Sequence, residues 1–174
     1  MTTLAEQEKA YFLGREFLTW LWYQSEQRGG SVFIPEMGDL DLTFERRALM
    51  ESGEGDFTET VLCRGLNSEL KEARLALREG KKVKEVRIRL SQDTKEWSFT
   101  IKGDSLDFQS VNLPKGGPVD TDDEEAEFFL RVGYLTELFQ IIDHLYGDFI
   151  HQRLDPAWPE KGLAEIRLWV SKPE

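Results

Sequence analysis

Apolar residues recur at three- to five-residue spacing between residues 3 and 28, and this spacing predicts an amphipathic helix. The stretch "YFLGREFLTWLWYQ", residues 11–24, carries aromatic side chains on most of the helix circumference. A helix that is apolar on several sides is buried on several sides. Two interpretations remain open: residues 11–23 form the central core element, or part of this helix docks a protein partner or a second copy of the chain.

Beyond "RGG" at 28–30, the pattern changes to alternation, which is typical of half-buried strands. Strands are predicted at 31–35, 39–47 and 58–64, with three further strands near 83–90, 96–102 and 106–113. The stretch 66–82 between them is predicted to be a helix, with Asn67 or Ser68 as its cap and Gly80 as its stop. The acidic run beginning at residue 120 opens a long helix that extends to about Arg153. A short final helix is predicted from Pro159 to about Val170.

The predicted order is therefore α-βββ-α-βββ-α-α, and it indicates an α+β fold. Strands in runs of three favour antiparallel meanders covered by helices on one side. The chain is predicted to form one domain over residues 1–174, with a linker-like stretch at 112–123 before the C-terminal helices. Periodicity predicts eleven inward-facing residues: Phe12, Trp20, Leu42, Phe44, Leu77, Val86, Ile88, Trp97, Phe99, Leu135 and Leu138.

Composition sets limits on the class of protein. The 174 residues are 40% hydrophobic and 32% charged, with a formal net charge of −11, as expected of a soluble globular protein. Neither a membrane span nor a signal peptide is predicted, so we expect a cytoplasmic protein. The single cysteine, Cys63, forms no internal disulfide, and together with two histidines it does not complete a structural zinc site.

The stretch "KKVKEVRIRL", residues 81–90, has five basic residues and one acidic residue within this acidic chain. Its alternation predicts a hairpin with "KEWSFTIK", residues 95–102. The outward positions of the two strands would form one basic and hydroxyl-rich surface, which is chemistry that holds phosphates. The predicted members of that surface are Arg87, Arg89, Lys95, Ser98, Thr100 and Lys102. An ordinary solvated sheet face gives the same pattern, and the negative net charge works against unaided binding of a polyanion.

Catalytic chemistry has little support in the sequence. Asp39 and Asp41 lie two apart on one strand face, where both carboxylates would reach a single Mg²⁺. Nuclease chemistry needs further acidic residues and often a lysine beside such a pair. The sequence contains no glycine-rich phosphate loop, no nucleophile elbow and no paired-cysteine motif. We therefore expect a protein that is not an enzyme and that requires no cofactor or metal.

Three segments together resemble a known family: "FLGREFLTWLW", "KEARLALREGKKVKEVRIRL" and "TKEWSFTIKGDSLDFQSVNLP". They look like the C-terminal half of the bacterial recombination-associated RdgC proteins. The shared pattern is a helix ending at "LREGKKV", an alternating strand, a strand with Trp and Phe, and a third strand closing on "LP". The likeness covers about residues 12–114.

The resemblance implies a nucleoid-associated protein that binds duplex DNA without sequence preference and limits access of the strand-exchange recombinase to DNA. Members of that family form a ring of two subunits with a positively charged inner surface. By position, Lys82, Lys84, Arg87 and Arg89 would lie nearest to DNA, and Lys95 and Lys102 join them on the predicted hairpin. This chain departs from the family in its strong negative charge. The alternative is a protein-interaction or dimerisation module with an RdgC-like fold that no longer binds DNA.

Overall fold

The computed structural model describes residues 4–53, 55–64, 71–115 and 123–172, without the side chains of residues 4–12, 46, 55 and 71. The elements follow the predicted order, with a short 3₁₀ turn at Gly55–Phe57. The helices are α1 (Leu4–Gln27), α2 (Lys71–Arg78), α3 (Glu124–Leu154) and α4 (Gly162–Ser171). The strands are β1 (Ser31–Ile34), β2 (Gly38–Ser52), β3 (Glu59–Arg64), β4 (Lys82–Gln92), β5 (Lys95–Lys102) and β6 (Phe108–Asn112). The predicted α+β class is confirmed.

All six strands join one antiparallel sheet in the order β1-β2-β4-β5-β6. β4, β5 and β6 form the predicted meander. The first three strands are arranged differently from a meander, because β1 pairs with the start of β2 and β3 pairs with its end, both on the edge opposite β4. A β2 strand of fifteen residues is long enough to hold two short strands along one edge.

The core lies between one sheet face and the helices. Helix α1 crosses this face in contact with β1, β2 and β4, and α3 and α4 pack against α1 in turn. Phe17, Leu18 and Leu21 of α1 are fully buried, as are Trp97 and Phe99 of β5. The Trp97 indole donates a hydrogen bond of 3.0 Å to the carbonyl oxygen of Tyr134, which joins β5 to α3.

Most of the predicted inward set is confirmed. Nine of the eleven residues are buried: Trp20, Leu42, Phe44, Leu77, Val86, Ile88, Trp97, Phe99 and Leu138. Leu135 is partly buried against the same core. The side chain of Phe12 lies outside the described part of the structure. Cys63 is also buried, and burial, assisted by the nearby charge of Glu72, raises the pKa of its thiol.

The end of β2 and the start of α4 differ clearly from the prediction. β2 continues to Ser52, five residues beyond the predicted end, and Ala48 and Met50 remain buried along it. Helix α4 begins at Gly162 and not near Pro159, because residues 156–161 form successive turns in which the Lys161 N–H donates to the carbonyl oxygen of Ala157. The predicted stop of the second helix at Gly80 is confirmed: α2 ends at Arg78, and Gly80 has a positive φ of 85° in the turn that follows. The predicted caps of that helix, Asn67 and Ser68, lie outside the described residues.

Of the linker-like stretch 112–123, the described residues are 112–115 and Asp123. Asp123 caps helix α3, since its carboxylate accepts a hydrogen bond of 3.0 Å from the backbone N–H of Ala126. The acidic residues Glu124, Glu125 and Glu127 occupy the first turn, where negative charge is favourable.

Candidate nucleic-acid interface

Arg87 is the centre of a hydroxyl-rich cluster on the open face of the sheet. In the β4–β5 hairpin, Arg87 lies opposite Thr100 and Arg89 lies opposite Ser98. The Arg87 guanidinium donates to Ser98 Oγ at 2.9 Å, to Thr100 Oγ1 at 3.4 Å and to the Ser110 carbonyl oxygen at 3.2 Å. The hairpin prediction is confirmed, and it places a guanidinium and two hydroxyls on one surface away from the helices.

Carboxylates alternate with the other arginines of this face. Arg89 Nε lies 3.1 Å from Glu45 Oε1, and Arg47 Nη2 lies 3.6 Å from Glu85 Oε1. The arginine side chains of both pairs are more than 40% exposed, so each pair contributes little to stability. The open face therefore carries both positively and negatively charged side chains and is not a continuous basic surface.

Lys102 also belongs to the open face. Lys102 lies at the end of β5, where it pairs with Glu85 of β4. It is two residues beyond Thr100, so the side chains of Lys102 and Thr100 leave the sheet on the same side. Arg87, Arg89, Ser98, Thr100 and Lys102 are thus brought together as the sequence predicted. We call these five residues the open-face cluster.

Lys95 is placed differently from the prediction. It has the same strand parity as the inward residues Trp97 and Phe99, and its ammonium contacts helix α3. Lys95 Nζ lies 3.1 Å from Glu137 Oε1 and 5.7 Å from the centre of the Tyr134 ring. It joins the tip of the hairpin to α3 and does not face the open side.

Lys84 belongs to a buried ionic network. Its Nζ lies 2.6 Å from Glu51 Oε2, and Arg15 Nη2 of α1 lies 2.9 Å from the other carboxylate oxygen. Burial by itself would raise the pKa of Glu51, but the hydrogen bonds from Lys84 and Arg15 outweigh it and hold the pKa below its ordinary value. Lys84 therefore stabilises the junction between α1 and the sheet.

Lys82 lines a cleft on the helix side of the molecule, together with residues of α1, α2 and α4. Burial lowers the pKa of its ammonium; the carboxylate of Glu16 opposes this effect, and the positive charges of Arg15 and Arg153 add to it. The predicted DNA-facing set is therefore divided, because only Arg87, Arg89 and Lys102 lie on the open face.

An irregularity in β4 explains why Lys82 and Lys84 are separated from the others. Leu49 pairs with Glu85 and Met50 pairs with Val83, so Lys84 is an extra residue in β4. A signal for this irregularity is present in the sequence: the buried residues Val83 and Val86 are three apart, where regular alternation would place them two apart.

The aromatic helix, for which a core role and a partner surface were both open, packs into the protein's own core. Over residues 17–23 of α1, every apolar side chain is at most 8% exposed. Trp22 stacks on Phe44, and Phe17 packs edge-on against Tyr146. The core interpretation of this helix is correct for residues 17–23, whose apolar side chains are buried within the protein.

Sequence reasoning missed an exposed apolar patch on the first half of α3. Phe128 and Phe129 are 61% and 63% exposed, and Val132 is 44% exposed. A shallow groove of about 520 Å³ runs beside them, with Leu113 and Leu135 among its lining residues. The signal that identifies the patch is "FFLRV" directly after the acidic capping residues, since these apolar residues precede the part of the helix that reaches the core.

In the described part of the chain, no group of three or more His, Cys, Asp or Glu side chains is arranged to hold a metal ion. Asp39 and Asp41 are both exposed on the first part of β2.

Of the described helices, none combines the length and the apolar character needed to cross a bilayer. Comparison with protein families, with curated proteins and with solved structures finds no match to this chain.

Proposed function

We propose that this protein binds duplex DNA weakly, without sequence preference and without catalysis, through the open-face cluster. The observation that carries the proposal is the Arg87 guanidinium held between Ser98 and Thr100 on the open sheet face. Guanidinium and hydroxyl groups contact phosphate oxygens, and such contacts position a protein on DNA without reading its sequence.

The arrangement leaves donors for a phosphate. A guanidinium has five N–H groups, and the contacts described for Arg87 use three of them. Ser98 and Thr100 hold its plane in a fixed orientation, which lowers the ordering cost of binding. Arg89 and Lys102 lie on the same face and supply the flanking positive charges.

Two features limit the affinity. Glu45 competes with any phosphate for Arg89, and Glu85 lies opposite Lys102 in the register. The net charge of −11 also produces a field that repels a polyanion. We therefore expect weak and strongly salt-dependent binding. By the resemblance to RdgC proteins, the proposed role is modulation of recombination at the nucleoid, within the cytoplasm.

The test is a binding titration with fluorescently labelled duplexes of about 30 base pairs and unrelated sequence, at about 50 mM and about 150 mM salt. We expect equal affinity for the different sequences and a steep loss of affinity at the higher salt, since phosphate contacts release counterions. Replacing both Arg87 and Arg89 by alanine should lower the salt slope by about two. Absence of binding at the lower salt would refute the proposal.

The second candidate is self-association through the patch on α3. Phe128, Phe129 and Val132 form an exposed apolar ridge on one long helix. The adjoining groove contains Arg131 together with Glu124 and Glu127. In a two-fold dimer the same surface is used twice, so the arginine of one copy can face an acidic residue of the other. Apolar docking of this kind responds little to salt, and this distinguishes it from DNA binding.

A further inference from the structure

A groove with aromatic walls lies between the second half of α3 and the start of β6 with the turn before it. It has a volume of about 440 Å³. Sites for small organic molecules in proteins typically have volumes of about 300–1,000 Å³. The groove is on the helix side of the sheet, because Phe108 of β6 packs against the buried ring of Phe99. It is therefore separate from the open-face cluster.

Three aromatic residues line this groove: Phe108 of β6, and Phe139 and Tyr146 of α3. The rings of Phe108 and Phe139 meet edge-on, with their centres 5.3 Å apart. Tyr146 packs edge-on against the buried ring of Phe17, with the centres 5.2 Å apart. Phe139 is 48% exposed, so its ring is open to a ligand. We call this site the aromatic groove.

The aromatic groove also contains a carboxylate, that of Asp143. Of the described residues that line the groove, Asp143 alone is charged. Its side chain is exposed, and within the described part of the chain its carboxylate has no hydrogen bond or ion pair. Asp148 on the same helix differs, because its carboxylate lies 3.2 Å from His144 Nε2. The negative charge of Asp143 is therefore available to a ligand.

Helical spacing places this carboxylate between two of the rings. Asp143 follows Phe139 by four residues and precedes Tyr146 by three, within the continuous helix α3. Residues three and four apart are neighbours on a helix surface, with their Cβ atoms about 5–6 Å apart. Phe108 adds a third ring from the sheet. One carboxylate and three aromatic rings therefore surround the same small volume.

This combination favours an organic cation. The face of an aromatic ring carries partial negative charge and attracts a cation within about 6 Å of the ring centre. The carboxylate adds a full negative charge, and the net charge of −11 raises the local concentration of cations. A neutral apolar ligand would cover Asp143 without compensating its charge, and an anion would be repelled by it.

We propose that the aromatic groove binds a small quaternary ammonium compound, with its methyl groups against the rings of Phe108, Phe139 and Tyr146 and its charge beside Asp143. A primary ammonium has three N–H donors, and aromatic walls offer them few acceptors. A quaternary ammonium has no N–H donor, and its methyl groups suit an aromatic surface. A metal ion would need more oxygen ligands than this one carboxylate supplies. The inference is independent of DNA binding by the open-face cluster.

The test compares choline with dimethylbutanol, the uncharged analogue in which carbon replaces the nitrogen, on the full chain. Binding is followed by the methyl resonance of Thr136, which lines the groove, in ¹H–¹³C correlation spectra. This resonance is assigned by its loss in Thr136→Ser. We expect choline to shift it saturably and to bind about tenfold more tightly than dimethylbutanol, because the two molecules differ in charge and not in shape.

Asp143→Asn should weaken choline binding by about fivefold, the upper range for one exposed charge pair, and leave dimethylbutanol affinity unchanged. The unchanged dimethylbutanol affinity also shows that the groove is still folded. Asp148→Asn is the matched control, since it makes the same charge change on α3 at a carboxylate that pairs with His144. It should bind choline as the unaltered chain does. Equal affinity for choline and dimethylbutanol, no saturable shift of the Thr136 resonance, or equal choline affinity in the two variants would each overturn the proposal.

Discussion

Arg15 of helix α1 and Glu51 at the end of β2 form an ion pair of 2.9 Å whose side chains are only 7% and 8% exposed. The same guanidinium also contacts Asp104 in the β5–β6 turn. Lys84 contacts the second oxygen of Glu51. Arg15 therefore joins the central helix to two parts of the sheet, and a buried charge remains if one partner is removed.

We expect Arg15→Met to destabilise the protein by about 3 kcal/mol, because removing one partner of a buried pair leaves the other uncompensated. The value lies at the low end of the usual range since Lys84 still contacts Glu51. Urea denaturation measures the change. Arg47→Met is the control: its pair with Glu85 is 54% exposed on the arginine side, and the loss should be below about 1 kcal/mol. Equal losses in the two variants would contradict this interpretation.

The lowered pKa of Glu51 predicts a specific loss of stability in acid. Its folded-state pKa lies below the ordinary 4.5, so its ionisation stabilises the fold fully above that pH. The contribution is lost as the pH falls through the folded-state pKa. The difference in unfolding free energy between the unaltered chain and Glu51→Gln should be constant near neutral pH and shrink below about pH 4.5. A difference that persists undiminished in strong acid would show that this carboxylate does not titrate as described.

Close packing of two glycines sets the approach of α1 to the sheet. A methyl group on Gly14 would overlap the carbonyl oxygen of Gly103, which follows β5. Gly14→Ala should therefore destabilise the protein by about 3 kcal/mol, since the helix must move away from the sheet. Gly133→Ala in α3 is the matched control, because nothing lies within 4 Å of its added methyl group. Thermal unfolding should show a gain of about 0.5–1 kcal/mol for the control, and a neutral Gly14→Ala would refute the described contact.

The β4–β5 hairpin was predictable because residues 86–90 and 97–101 alternate strictly, so one period determines the pairing and the face of these residues. The end of β2 was not predictable in this way. In the sequence, the charged residue at position 46 stands between the apolar residues Phe44 and Ala48 and interrupts the alternation. The register between β2 and β4 also shifts after Glu45, and such an irregularity depends on the partner strand.

The candidate site was predictable only in part for the same reason. Alternation identifies Arg87, Arg89 and Lys102 as outward residues, but it does not show that Glu45 lies beside Arg89, because that contact joins strands far apart in sequence. The cleft that Lys82 lines combines residues from three helices and a strand. No single stretch of sequence contains its pattern.

Self-association through α3 makes a separate prediction. Phe128→Ser with Phe129→Ser should abolish concentration-dependent dimerisation in sedimentation equilibrium, because it removes the two most exposed aromatic residues of the helix. The folded monomer should be unaffected, since neither side chain reaches the core. Phe57→Ser, at an aromatic residue that is 87% exposed elsewhere, is the control and should leave the association constant unchanged. A chain that stays monomeric at all concentrations would exclude this second candidate.

The central claim, that the open-face cluster contacts DNA phosphates, is tested most directly by paired charge changes on that face. Glu45→Gln releases Arg89 from its carboxylate and should tighten duplex binding. Arg87→Ala should weaken binding equally for all sequences and lower the salt slope by about one. Glu125→Gln makes the same charge change as Glu45→Gln at the exposed start of α3, so it measures the effect of net charge alone.

The decisive measurement is the slope of log K against log salt concentration for these three variants and the unaltered chain, by fluorescence anisotropy with one labelled duplex. We expect tighter binding for Glu45→Gln than for Glu125→Gln, and weaker binding with a shallower slope for Arg87→Ala. Identical affinities for Glu45→Gln and Glu125→Gln, together with an unchanged slope for Arg87→Ala, would contradict it.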